Sequence, residues 1–160
     1  QPLSAEYKVI CLPTARKYPR GGLDFMRVDT IKTSTPSDYV DNIWDKGHLA
    51  PANTFACRGD WLRLTFSYIN CTLQHENLNR GAWADLEAFE RDLAMLYEDV
   101  EVYIQVFFSE EWTENSDPAR IPASFVKSIS WTEGEEHRTI SFDFPNESTK
   151  GKSFWYYLIK

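Results

Sequence analysis

Two hydrophobic periods run along this chain. From Val100 to Phe108 (VEVYIQVFF) apolar and polar residues alternate, as expected of a strand with one buried face. From Asn77 to about Glu98 the period lengthens: Leu78, Ala82, Leu86, Phe89, Leu93 and Leu96 recur every three or four residues, drawing one apolar stripe along a helix. Tyr7–Leu12, Met26–Ile31, Phe125–Trp131, Arg138–Phe144 and Phe154–Ile159 read as further strands, and Leu64–Leu73 (LTFSYINCTL), rich in β-branched and aromatic residues, as a buried one. Pro13–Gly22 is turn-rich and basic, Thr33–Asp41 is a loop around Pro36, and Glu110–Asp117 is an acidic loop. Pro145-Asn146 and Lys150-Gly151 mark turns. The pattern predicts an α+β domain, rich in strands, with one long helix. A length of 160 residues suits a single domain over 1–160.

Composition leaves that picture intact and narrows the function. With 42% hydrophobic and 15% aromatic residues the chain has ample core material, which excludes wholesale disorder. No apolar run approaches the ~20 residues of a membrane span, so no membrane partner is expected, and Gln1–Lys8 lack the apolar stretch of a signal peptide. The net charge of -7 argues against a protein that coats nucleic acid. The charge is uneven, however. Residues 1–64 carry nine Lys/Arg against seven Asp/Glu, and residues 65–160 carry eight against seventeen. Arg16, Lys17, Arg20, Arg27 and Lys32 form either a local phosphate-facing patch or a solvated mixed surface.

Cys11, Cys57 and Cys71 contain no CxxC pair, which disfavours a structural zinc site. Three buried thiols are favoured over one disulfide with a spare thiol. Asn70-Cys71-Thr72 and Asn146-Glu147-Ser148 match the glycosylation triplet, a pattern too short to fix a compartment.

The chemistry gathers in two blocks, DKGHLAPAN (45–53) and NCTLQHENLNRGAWADLEAFER (70–91). In the first, a neutral imidazole at His48 is a natural general base. Gly47 is read as permitting a sharp turn that presents it, Lys46 as a fixed charge beside it, and Asp45 as orienting the loop. His75 and His137 lack such settings and are read as surface or structural residues. In the second, Asn79 and Glu87 lie eight residues apart on the predicted helix, about 12 Å along a straight axis at ~1.5 Å per residue. That spacing disfavours both as ligands of one ion. The economical reading puts the Asn79 carbonyl on a metal and has Glu87 hold a metal-bound water. Oxygen ligation with retained water suits Mg²⁺. Arg91, one turn on, is placed to meet a phosphate, or else pairs with Glu87 on a solvated helix face.

DKGHLAPAN resembles the signature of the DNA/RNA non-specific endonucleases of the ββα-metal (His-Me finger) type, usually Asp-Arg-Gly-His then Leu-Ala-Pro-Ala. Asn70, Gln74, Asn79, Gly81, Trp83, Leu86 and Glu87 are similar to that family's second block. Weaker matches at Asp38-Tyr39, Val102–Phe108, Ile121-Pro122, Phe125, Lys127 and Pro145-Asn146 extend the resemblance over nearly the whole chain.

The resemblance implies a mixed central β-structure with a ββα-metal core, in which the strand around Leu64–Leu73 lies between the histidine and the helix. It implies a metal-dependent hydrolase of DNA and RNA that leaves 5′-phosphorylated ends, with Mg²⁺ as cofactor, Mn²⁺ as a substitute, and a homodimer as a common state. His48 would be the general base, Asn79 the Mg²⁺ ligand, Glu87 the water-positioning group, and Arg91 and Lys46 the phosphate contacts. Lys46 stands where the family has Arg, keeping the charge but losing the bidentate fork. Leu73 replaces a Pro, and Gln105-Val106 lacks a Gly common after that strand, which bears on the loop at Phe107–Trp112. The alternative is a weak or inactive relative that binds nucleic acid or a protein partner.

Overall fold

The computed structural model describes residues 1–159. Its strands form an antiparallel sheet in the order β1-β4-β5-β6: β1 (Ser4–Lys8), β4 (Glu98–Trp112), β5 (Arg120–Glu133) and β6 (Glu136–Pro145). A separate two-stranded ladder joins β2 (Trp44–His48) to β3 (Cys71–His75). Short helices α1 (Ala52–Phe55) and α2 (Gly59–Thr65) lie between these two strands in sequence. α3 (Glu76–Asn79) and the long α4 (Ala82–Leu96) follow β3. The α+β class read from the sequence is the observed one.

Alternation explains the large sheet. Val100, Val102, Ile104 and Val106 of β4 are buried, while Glu101 and Tyr103 between them and Phe107 beyond are exposed and Gln105 is half-buried. Gly134, at φ +65°, lies between β5 and β6 in the tight connection, a left-handed conformation that glycine adopts without steric cost. α4 covers the apolar face with Trp83, Leu86 and Leu93, which pack into one core with Phe125, Ile129, Phe142 and Phe144. Trp83 meets Phe125 and Phe144 edge-on at 5.5 and 5.6 Å.

Several expected elements differ. The first strand is Ser4–Lys8 rather than Tyr7–Leu12, and Met26–Ile31 contributes one isolated bridge, Met26 to Ser67. Leu64–Leu73 is no continuous strand: α2 ends at Thr65, a 3-10 turn spans Tyr68–Asn70, and only Cys71–His75 is extended. Leu64 and Ile69 are exposed. Phe154–Tyr157 is a 3-10 turn whose start is fixed by Ser153 accepting from the Trp155 N–H. The acidic loop is shorter than expected, because β4 runs to Trp112 through register shifts after Phe107 and Phe108. The expected helix breaks at Arg80-Gly81, where a Cβ on Gly81 would stand 2.6 Å from the Asn77 carbonyl oxygen.

Cys11 and Cys57 form a disulfide, and Cys71 is a buried free thiol, correcting the expectation of three thiols. The two glycosylation-like asparagines are structural. Asn70 donates to the carbonyls of Ala50 and Thr65 and accepts from the Ala50 N–H, all at 2.9 Å. Asn146 accepts from the His75 N–H at 2.8 Å and donates to Leu73 and Pro122 at 2.9 Å, tying β3 to the large sheet. Asn146→Ala leaves three backbone groups without these partners. It is expected to lower the unfolding free energy by about 3 kcal/mol in urea titration. No helix among the described residues is long and apolar enough to cross a membrane.

Candidate active site

β2 carries DKGH along its length and pairs antiparallel with β3, setting His48 opposite Cys71 and Lys46 opposite Leu73. Gly47 sits inside this strand rather than at a sharp turn. Its hydrogen leaves room for Gln74: a Cβ there would lie 2.5 Å from the Gln74 Cβ, an atom fixed to the backbone. Gly47→Ala must therefore push β2 from β3 next to His48. We expect a loss of about 3 kcal/mol on thermal unfolding and a matching collapse of any activity that uses His48.

At the end of β2 a cleft of about 460 Å³ brings together Asp45, Lys46, His48, Asn79, Glu87 and Arg20. The helix break bears on this meeting. Asn79 ends α3 and Glu87 lies on α4, so the spacing expected of one straight helix does not describe them. Asp45 does more than shape its own loop. Its Oδ2 accepts from the Asn79 amide at 2.8 Å and from Arg80 Nε at 2.8 Å, and its Oδ1 accepts from Arg80 Nη2 at 2.6 Å. A carboxylate oxygen only accepts, so Asn79 must offer it the NH₂ group, leaving the carbonyl oxygen free of this bond.

The His48 ring lies between Phe25, at 4.9 Å, and Phe66, at 5.0 Å. Burial lowers its pKa to about 4, and the Arg20 cation pushes the same way, so the imidazole is neutral at physiological pH. Its Nε2 is buried with no hydrogen-bond partner among the described residues. Burial raises the Glu87 carboxyl to about 7, against the pull of the Lys127 ammonium. Lys46 Nζ stands over three rings, Phe25 and Tyr68 at 5.5 Å and Tyr39 at 5.9 Å, which hold its charge at the cleft by cation–π attraction.

Two placements differ from the sequence reading. Arg91 is buried, does not line the cleft, and leaves its Nη1 without a partner among the described residues. Arg20, one of five basic candidates, lines the cleft and lies 5.5 Å over Phe66. Arg16 and Lys17 border a separate depression beside Cys57, and Lys32 pairs with Asp117 at 3.4 Å. Nothing in the spacing of these cations distinguishes Arg20. His75 has a structural task, accepting from the Asn77 N–H at the start of α3, and His137 is exposed on β6. A larger cleft of about 610 Å³ near the start of β2 is lined by Asp41, Glu111 and Glu114, a charge that repels phosphate.

The model of the DNA/RNA non-specific endonuclease family matches residues 15–157. A nuclease of Syncephalastrum racemosum is 31% identical over 130 residues, covering 69% of this chain and 41% of that protein. The mitochondrial endonuclease G of Bos taurus is 33% identical over 86 residues, 52% of this chain and 29% of its own length. The Serratia marcescens nuclease is 42% identical over 65 residues, 38% of this chain and 24% of its own length. These matches thus span less than half of each relative. Among solved structures, an EndoG/EndoGI complex gives a TM-score of 0.80 at 21% identity, covering 98% of this chain and 71% of that one. The match over residues 15–157 includes both motif blocks and the strands and helices that carry them, and the chain belongs to the DNA/RNA non-specific endonuclease family.

Proposed function

We propose that this protein is a metal-dependent endonuclease that hydrolyses phosphodiester bonds of DNA and RNA, with His48 as general base. The observation that carries this reading is the meeting of His48, Asn79 and Glu87 in one cleft beside the Lys46 and Arg20 cations, in a chain whose net charge is -7. An inactive relative has no need of a neutral imidazole, an oriented amide and a buried carboxyl in one place.

The donor set limits the metal. Among the described residues no group of three or more His, Cys, Asp or Glu forms a chelate, so a zinc-type site does not fit. The Asn79 carbonyl oxygen, turned by Asp45, is a hard ligand for an ion that keeps most of its water, and Mg²⁺ is such an ion. When bound, it supplies charge stabilisation for the phosphoryl oxygens and the departing 3′ oxygen.

The protein's own groups do the rest. Arg20 and Lys46 hold the phosphate; the guanidinium supplies the fork that a lysine lacks. The neutral His48 imidazole takes a proton from water as that water attacks phosphorus in line, opposite the 3′ oxygen. The Glu87 carboxylate accepts hydrogen bonds from water in the cleft and fixes its orientation. Arg91, behind Glu87, acts on that carboxylate rather than on the substrate. Cleavage on this side leaves the phosphate on the 5′ end.

Purified protein is expected to cut plasmid DNA and RNA with Mg²⁺ or Mn²⁺, to stop on addition of EDTA, and to leave ends that DNA ligase joins without prior kinase treatment. Undiminished cleavage in EDTA, or ends that need phosphorylation before ligation, would sink this reading.

A further inference from the structure

Trp83, Glu90 and Arg91 lie one turn from Glu87 on α4, and with Lys127 they form a charged set that the proposed reaction does not use directly. Lys127, fully buried at the middle of β5, donates from Nζ to Glu90 Oε1 at 2.7 Å, and Nζ lies 4.0 Å over the Trp83 ring. Glu90, equally buried on α4, accepts at Oε2 from the Tyr7 hydroxyl of β1 at 2.7 Å. Val102, Ile104, Phe125 and Phe142 belong to the same apolar core as Trp83. A buried ion pair in such a place is no more stabilising than two well-packed apolar side chains, since desolvation offsets the attraction. Stability alone does not call for it.

Charge balance does. Lys127 and Arg91 bring two cations into this part of the core, and Glu90 brings one anion. Glu87, on the same face of α4, is the group whose ionisation makes the set neutral. We propose that the Lys127–Glu90 pair sets the charge of Glu87, which makes both positioning residues for the cleavage reaction; the catalytic part of this inference rests on the reading of the cleft given above. Among Glu87's neighbours, the Lys127 ammonium draws its carboxyl toward the ionised form most strongly, with Arg91 assisting, while Glu90 opposes it. Tyr7, the group facing them from β1, is held neutral by burial. Across the cleft stand His48, which is neutral, Asp45, and the cations Lys46 and Arg20. Arg20 is exposed and Asp45 and Lys46 are partly so, which screens their charges more than that of Lys127, which acts through the low-dielectric core.

The two members of the pair carry opposite charges and therefore move Glu87 in opposite directions, which a loss of packing on substitution would not do. The test is carboxyl ¹³C NMR of the metal-free protein labelled at glutamate, with the Glu87 signal identified by its loss in Glu87→Gln. Glu90→Gln preserves local bonding, because its amide oxygen accepts from Lys127 and its NH₂ donates to the Tyr7 oxygen. It is expected to move the Glu87 midpoint down by about one unit or more, a roughly tenfold change in the ionisation equilibrium. Lys127→Met is expected to move it up by a similar amount, and the double variant to return it toward wild type. A midpoint unmoved in Glu90→Gln, or moved the same way in both single variants, overturns the proposal. If Lys127→Met does not fold, the Glu90→Gln arm decides alone. The acid limb of cleavage should follow the same shifts. A wild-type protein that cuts nothing while the midpoints move as expected would overturn the nuclease reading and support the charge setting.

Discussion

His48→Ala is expected to lower the rate of phosphodiester cleavage by about 10³-fold, the scale of losing a positioned general base. The ring packs between Phe25 and Phe66, so its removal also leaves a gap, with an expected stability cost of about 1–2 kcal/mol. Circular dichroism and a thermal melt should therefore show a folded variant, which separates lost chemistry from lost structure. The same gap allows a direct test of the role: added imidazole should enter it and restore part of the rate. Because burial holds the His48 pKa at about 4, the imidazole is unprotonated above pH 5, and the pH dependence of the rate near neutrality must come from another group. Burial raises the Glu87 carboxyl to about 7 in the metal-free protein, so on the proposed mechanism Glu87 is that group, and cleavage with Mg²⁺ is expected to rise with pH as its carboxylate forms. A His48→Ala variant that cuts at the wild-type rate would remove the proposed mechanism.

The parts of this site that sequence revealed are those carried by local pattern. DKGH is four consecutive residues on one strand, and the stripe from Leu78 to Leu93 identifies the helical region that brings Glu87. The β4 alternation is legible for the same reason: each side chain's face is set by its own position in the strand. Where sequence reasoning failed, a distant contact decides the structure. LTFSYINCTL has strand composition, yet the Asn70 amide bonds to Ala50 and Thr65 and holds a 3-10 turn in its middle. The Asn79–Glu87 spacing assumed one straight axis. Gly81 breaks it at a point where no side chain fits against the Asn77 carbonyl. Asp45 was read as a local support of its loop, but its carboxylate reaches across to Asn79, 34 residues on. Arg20 and the cysteine pairing were the least legible. Arg20 and Cys11 belong to the irregular segment between β1 and β2, and that segment is placed by partners farther along the chain, Cys57 among them.

That segment gives the second large effect. Removing the disulfide as Cys11→Ala/Cys57→Ala frees a loop with a sequence separation of 46 residues, and loop-closure entropy then predicts a loss of about 4 kcal/mol. Urea denaturation of the double variant, and of the wild type with reductant, should both show it. The bond also bears on the cleft. Between Cys11 and Phe25 the chain has no helix or strand, and it is held to α1 and the residues after it by Cys11 N–H to the Thr54 carbonyl at 3.2 Å and Tyr18 N–H to the Ala56 carbonyl at 2.7 Å. Tyr18 packs 3.3 Å from where a Cβ on Gly59 would be. Arg20 lies two residues beyond Tyr18, so the disulfide holds the base of the arm that presents its guanidinium. Loss of the bridge should therefore raise KM for nucleic acid roughly tenfold, the worth of one charge-assisted phosphate contact, while kcat changes less. Arg20→Ala should give the same rise. Combined, the changes should not multiply, because a guanidinium already absent cannot be misplaced. Two effects that multiply would mean that the disulfide supports the fold alone and that Arg20 is held by other means.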